Sequence, residues 1–309
     1  MLQTRRSLVR ALALGGAAAP LGSLLRPGVA LAQPVSGGMA VDMRDYLRRA
    51  RNAMPSANRS GRVAVERTLE RLDDLNVDLS VGRLILVNIA AAQLIAYEGG
   101  REVMRSRVIV GARKTATPQL ASFVTGARYN PPWYVPASIE PEVRASGISG
   151  FRVVNGRLIQ PPGPNNPLGQ VRIGLYDSDG IFLHGTNSPG LFARENRALS
   201  HGCVRVEKVR EVTAWMLNQT PAAVQARLAT GRTLEITPPQ DVEVVLAYLT
   251  AWPDANGRVQ LHQDPYGLDA AGARRAPYRR VTRPVPPNPE EVQPTIEASG
   301  MAPAEDNPL

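Results

Sequence analysis

At Arg83 the chain changes period. From there to Gly111 it reads as three β-rich runs, Leu84-Ile85-Leu86-Val87-Asn88-Ile89, Gln93-Leu94-Ile95-Ala96-Tyr97-Glu98 and Glu102 to Gly111, separated only by short polar or Gly-Gly connections. Runs this short and rich in β-branched residues form strands, and connections this tight bring consecutive strands side by side as hairpins. The rest of the chain must therefore build around a sheet. Phe123 to Tyr129, Val171 to Tyr176, Ile181 to His184, Leu234 to Ile236 and Val242 to Ala251 supply further strands. Pro131-Pro132 ends the first of these, and Asp177-Ser178-Asp179-Gly180 and Asp254-Ala255-Asn256-Gly257 have the residues of turns. His184 falls at a strand end.

Helices are expected on the flanks. From Asp42 to Leu75 the chain is rich in Arg, Glu, Ala and Leu, with Val63, Val65, Leu69 and Leu72 at helical spacing. Asn58-Arg59-Ser60-Gly61 divides it into a short and a longer helix. Val209, Val212, Met216 and Leu217 share one face of another helix, which Thr220-Pro221 is expected to close. The fold class is mainly β with flanking helices, preceded by an N-terminal helical arm.

The two ends read differently. Residues 1–32 have a basic head with Arg5-Arg6, an apolar run from Ala11 to Leu25, and Ala30-Leu31-Ala32 before Gln33. That pattern is a secretory signal, with the arginine pair pointing to the twin-arginine route and the periplasm. The run is too short, and too broken by Gly15, Gly16 and Pro20, to remain as a membrane anchor. Beyond Asp269 the chain is rich in Ala, Gly and Arg and then in Pro and acidic residues, so 270–309 is expected to be a disordered tail. Between lie the arm, 33–82, and the main domain, 83–269. Within the domain, 137–170 is long and interrupted by glycines and prolines, and is expected to be a lid over the site.

The net charge of +9 comes with 34 arginines against two lysines. Without an arginine-rich tract or aromatic interleaving it does not indicate nucleic-acid binding. A single cysteine excludes an internal disulfide and a multi-cysteine zinc site, and no Gly-rich phosphate loop is present, so no cofactor is assigned.

That cysteine, Cys203, lies with two of the three histidines in His184 to Glu207, HGTNSPGLFARENRALSHGCVRVE. A thiol needs a base or cation to become a nucleophile at neutral pH. His201 is two residues away, and His184 is separated by a loop long enough to leave a strand and return; either imidazole can face the sulfur. Gly202 permits a sharp turn whose backbone N–H groups, with that of Cys203, would suit a developing oxyanion, and the Arg205 fork would suit a carboxylate. The bland reading is a buried thiol and structural histidines. His184, His201 and Cys203 can also be drawn as zinc ligands with an open position.

The sequence Ser200-His201-Gly202-Cys203-Val204-Arg205, with His184 upstream, resembles the signature of the YkuD-type L,D-transpeptidase catalytic domain. The similarity extends through Leu86-Val87-Asn88-Ile89, Val110-Gly111 with Thr117-Pro118, Asn130-Pro131-Pro132-Trp133-Tyr134-Val135-Pro136, Gly163 to Gly169, and Leu191 to Arg194. Over 83–269 it is closest to the large periplasmic murein L,D-transpeptidases of Gram-negative bacteria. The resemblance implies a β-sandwich whose thiol forms a thioester with a peptidoglycan tetrapeptide stem and passes it to an amine of a second stem, making a 3→3 crosslink between diaminopimelate residues. It makes Cys203 the nucleophile, His184 the general base, the Gly185 carbonyl the group that orients His184, and His201 and Gly202 the frame of the oxyanion pocket. Arg205, Trp133 and Ser200 are expected at the substrate. The same thiol ending on water would be an L,D-carboxypeptidase or endopeptidase, and a wall-binding protein without turnover is the remaining reading. The chain departs from its large relatives in lacking a recognisable wall-binding module and in a short 137–170 region.

Overall fold

The computed structural model describes residues 43–76, 78, 82–147 and 149–282. The expected signal segment, and the part of the expected tail after 282, lie outside the described residues. Among the described residues no helix is long and apolar enough to cross a membrane.

The arm consists of α1 (Met43–Ala53) and α2 (Arg59–Leu75). Asn58 caps α2 by accepting from the Gly61 N–H, so Ser60 and Gly61 lie within the longer helix. The buried stripe of α2 runs Gly61, Ala64, Val65, Thr68, Arg71, Leu72 and Leu75, a helical period interrupted by one arginine.

The domain begins with β1 (Arg83–Asn88), β2 (Gln93–Glu98), β3 (Arg101–Gly111) and β4 (Gln119–Tyr129). A small subdomain follows, of β5 (Trp133–Tyr134), α3 (Glu140–Ala145), β6 (Arg152–Val154) and β7 (Arg157–Gln160). Then come β8 (Val171–Leu175), β9 (Leu183–His184), β10 (Ala198–Ser200), β11 (Val204–Val206), α4 (Val209–Met216) and α5 (Pro221–Ala229). The chain continues as β12 (Leu234–Ile236), β13 (Glu243–Ala247), β14 (Ala251–Pro253), β15 (Val259–Leu261) and β16 (Tyr278–Arg280).

Pairing runs β3, β11, β9, β8, β4, β13, β1, β2, and β2 pairs back onto β3, so the sheet closes on itself. The long strands β3 and β4 each serve two layers. Leu120 to Phe123 can pair with β13 while Val124 to Tyr129 pairs with β8, because the register shifts between Val124 and Gly126. The result is the expected β sandwich. Strand alternation explains how one sheet feeds two cores. Every residue of β1 is buried: Ile85 and Val87 face the interior with Val108, Ile173, Leu183 and Val204, while Leu84 and Leu86 face Leu47, Val65, Leu72 and Leu75 of the arm.

Two expectations are corrected. Thr220 does not simply close α4; its hydroxyl accepts from the Ala223 N–H and Pro221 opens α5, so the dipeptide starts a helix. The tail expected from 270 is structured at its beginning, where β16 pairs in parallel with Gln119 to Ala121 of β4. That strand carries no long apolar run, and its place comes from the free edge of β4.

Candidate active site

The register of three strands builds the site. His184 of β9 is the pairing partner of both Arg172 in β8 and Arg205 in β11, and the next row, Ile173, Leu183 and Val204, points into the core. Arg172, His184 and Arg205 therefore share the opposite face, and Cys203, two residues before Arg205, joins them. All four line one cleft of about 1140 Å³.

Its cover is the subdomain β5, α3, β6 and β7. Val135, Val143 and Leu158 form a small core of its own with Trp133, Ile139 and Phe151, so the cover is a folded unit. Trp133 lines the cleft and tilts against Phe151 at 6.1 Å. The expected lid range 137–170 therefore shifts. Trp133 to Tyr134 belong to it, whereas Asn166 to Gly169 back the histidine. Asn166 ties that segment down through Pro131 O and the Leu168 N–H. Gly169 has φ +65°, and a side chain there would sit 2.4 Å from the Thr186 N, so only glycine lets this segment pass Gly185.

His184 is 5% exposed. Burial, and then the positive charge of Arg205, push its pKa down to about 4, against smaller opposing effects of the Gly185 and Leu168 carbonyls. Nδ1 has no partner of hydrogen-bond geometry, so these carbonyls act on the ring electrostatically, Gly185 the more strongly. Cys203 is half-buried. Its sulfur lies 3.6 Å from the Gly180 carbonyl, burial raises its pKa, and the Phe182 backbone, Arg172 and Arg205 oppose that rise. A neutral thiol and a neutral imidazole are the resting state these shifts favour.

The remaining expected residues fall in and around the cleft. His201 is exposed and turned to the cover, its Nε2 3.2 Å from Glu142 of α3. Gly202 has φ +123°, which disfavours any side chain. Its N–H donates to Ser200 Oγ at 3.2 Å and its carbonyl accepts from Thr117 Oγ1 at 2.6 Å. The Ser200 hydroxyl donates to the Cys203 carbonyl at 2.6 Å. Ser200 is therefore arranged to brace the loop, and of the pocket expected around Gly202 the Cys203 N–H is left without a protein partner among the described residues. Arg205 makes no ion pair among the described residues and is half-buried in the cleft. His184, His201 and Cys203 do not group as a set of metal ligands there.

Three contributors were not assigned to the site from the sequence. Arg172 stacks over Phe182 at 4.3 Å and completes the row with His184 and Arg205. Arg279 of β16 grips Asp177 and Asp179 at 2.9 and 2.8 Å, holding the turn that ends in Gly180. Thr117 holds the Gly202 carbonyl. Alternation in Val171-Arg172-Ile173 marks Arg172 as outward-facing, but only strand pairing reveals that it faces His184.

A β sandwich with one cysteine and one buried histidine aligned on a sheet face, under a folded cover, is thus the class of domain defined by fold and site. Residues 82–224, just under half of the chain, match the model of YkuD, the L,D-transpeptidase catalytic domain. A Haemophilus influenzae protein provisionally named an L,D-transpeptidase is 31% identical over 217 residues, which cover 60% of this chain. The match spans 44% of that relative's length. Among solved structures, an L,D-transpeptidase from Mycobacterium smegmatis is 16% identical, with TM-score 0.28, over 52% of this chain and 58% of its own. L,D-transpeptidase 3 from Mycobacterium tuberculosis, bearing a faropenem-derived adduct, is 13% identical, with TM-score 0.30, over 53% of this chain and 60% of its own. The likeness to this family rests on the sequence match.

Proposed function

We propose that this protein is a peptidoglycan L,D-transpeptidase that forms 3→3 crosslinks through a thioester on Cys203. The observation that carries this reading is the placement of Cys203, His184 and Arg205 on one sheet face inside one covered cleft, within the segment 82–224 that matches the YkuD model.

The Cys203 sulfur attacks the carbonyl carbon at the L-centre to D-centre amide of a donor tetrapeptide stem. The thiol proton passes to His184 as the C–S bond forms, and the Cys203 N–H faces the developing oxyanion. Collapse breaks the C–N bond, His184 returns the proton to the departing amine, and D-alanine leaves a thioester behind. An acceptor amine then attacks, loses its proton to His184, and the thiol is restored as the new amide forms.

A histidine with a pKa near 4 is a weak base, and Arg205 is the second cause of that depression. A donor carboxylate seated on Arg205 would offset the arginine's charge and raise the basicity of His184 when substrate is present. Free enzyme would keep a protonated, less reactive thiol. Trp133 supplies an apolar wall for the stem. The arginine pair at positions 5 and 6 and the apolar run after it support export to the periplasm, where the anionic wall would attract this basic chain.

The test is incubation of the full-length protein with disaccharide-tetrapeptide, followed by mass analysis. Crosslinked dimer with release of D-alanine is expected. Tripeptide monomer alone would replace transpeptidation with carboxypeptidation, and unchanged substrate would leave a wall-binding role.

A further inference from the structure

The arginine in the buried stripe of α2 begins a polar chain that ends at the cysteine loop. Arg71 pairs with Asp269 at 2.7 Å, donates to the carbonyls of Leu268 and Tyr248, and lies over the Tyr248 ring. Asp269 also accepts from Thr250 Oγ1 at 2.5 Å. Asp264 accepts from the backbone N–H groups of Leu268 and Asp269 and from the Tyr248 hydroxyl, which in turn accepts from the Tyr266 N–H. The strap 264–269 is thereby tied at both ends, with Tyr266 stacked on Tyr248 at 5.2 Å.

From Tyr266 the chain enters the site. Its hydroxyl donates to the Gly111 carbonyl at 2.7 Å and accepts from the Thr117 N–H at 3.1 Å. Thr117 Oγ1 accepts from the Gly111 N–H at 2.8 Å and donates to the Gly202 carbonyl. This knot is tight: a side chain at Gly111 would lie 2.1 Å from the Thr115 carbonyl oxygen. The peptide plane does the rest. In a trans peptide the carbonyl of Gly202 and the N–H of Cys203 point in opposite directions, so fixing the one on Thr117 aims the other away from it. That N–H has no protein acceptor among the described residues.

We propose that Tyr266 is a positioning residue for the Cys203 loop, and that Arg71 anchors the strap carrying it, so that both flanks of the matched segment 82–224 belong to the working site. The proposal rests on the reading of Cys203 as the nucleophile. Neither residue touches the cleft; each acts through Thr117 on the orientation of one peptide group.

The test uses the full-length protein carrying Tyr266→Phe, which removes only the hydroxyl. Turnover of disaccharide-tetrapeptide should fall on the order of 10- to 100-fold in kcat with KM little changed, as expected for a misplaced reacting group. The pH dependence of Cys203 alkylation by iodoacetamide should move the opposite way. A loosened loop exposes the sulfur, its titration shifts down toward the ordinary thiol range, and alkylation at neutral pH becomes faster. A merely structural tyrosine would lower the melting temperature and leave both profiles at wild type, and that result would overturn the proposal. Thr117→Val should reproduce the alkylation profile of Tyr266→Phe without adding to it in the double variant, and Thr117→Ser should restore the wild-type profile; multiplicative effects in the double variant would also overturn it. Arg71→Gln should shift the profile in the same direction by a smaller factor, and an unshifted profile removes the arm from the proposal. If the wild-type protein turns over no stem peptide, the functional reading fails while the alkylation measurements still decide this one.

Discussion

Two outer surfaces of the closed sheet obey opposite rules. On the arm side, Leu84, Leu86, Val245, Ala247 and Trp252 meet Leu47, Val65 and Leu72, and burial of apolar area holds the surfaces together. On the cleft side, Arg172, His184 and Arg205 occupy one row across three strands, where apolar side chains would pack better. The difference teaches where stability is kept and where it is given up. A buried histidine nitrogen without a hydrogen bond costs folding free energy, and this protein keeps one, Nδ1 of His184, in the cleft. Damage to the arm face should therefore cost stability and spare chemistry, and damage to the cleft face should do the reverse.

The sharpest break is Cys203→Ala. Turnover should vanish while melting temperature and circular dichroism stay near wild type, and the mass increase expected when a carbapenem acylates the wild-type thiol should be absent from the variant. Retained turnover would remove Cys203 from the chemistry. Next, His184→Gln should lower kcat on the order of 10²- to 10⁴-fold, the usual range for a lost general base, with no loss of stability at neutral pH. On the other face, Leu86→Ala should destabilise the fold by about 2–5 kcal/mol in chemical denaturation, with kcat of the remaining folded protein unchanged. A fall in kcat would show that the two faces are not separable.

The smallest effect concerns acid. His184 is held neutral in the fold, with its pKa at about 4, against an ordinary value near 6.5 in the unfolded chain. The unfolded state therefore takes up the proton first as pH drops. The stability from keeping this ring neutral is fully present above pH 6.5 and is lost as pH falls toward 4, amounting to ~3 kcal/mol. His262, also pushed down to about 4 by burial and by Arg105, adds a loss of the same sign. The wild-type protein should lose more stability between pH 7 and 4 than His184→Gln does, and parallel pH–stability curves would show that the ring is not held neutral by the fold.

Several parts of this architecture are written locally. The short apolar run Leu84 to Ile89, the helical stripe before Leu75 and the single thiol closely preceded by two histidines can each be read without knowing what they touch. So can Gly202, since its place before Cys203 signals a special turn. The tail and the second C-terminal helix were less legible. Thr220-Pro221 has the residues of a helix stop but lies past the end of α4 at Met216 and opens α5, and Tyr278 to Arg280 becomes a strand only because β4 offers it an edge.

Sequence alone thus determined the main strands of the sheet, the helices of the arm, the signature around Cys203 and the chemistry that a thiol and an imidazole can share. Tertiary structure alone decided which partners reach them: Arg172 across the β8 to β9 register, Gly180 under the grip of Arg279, and Tyr266 behind Thr117. The physical reason is that alternation and capping depend on neighbours a few residues away, whereas strand register depends on burying the whole core at once. His184 and Arg205 lie 21 residues apart in sequence yet stand opposite one another in the sheet, because Leu183 and Val204 must face the same interior.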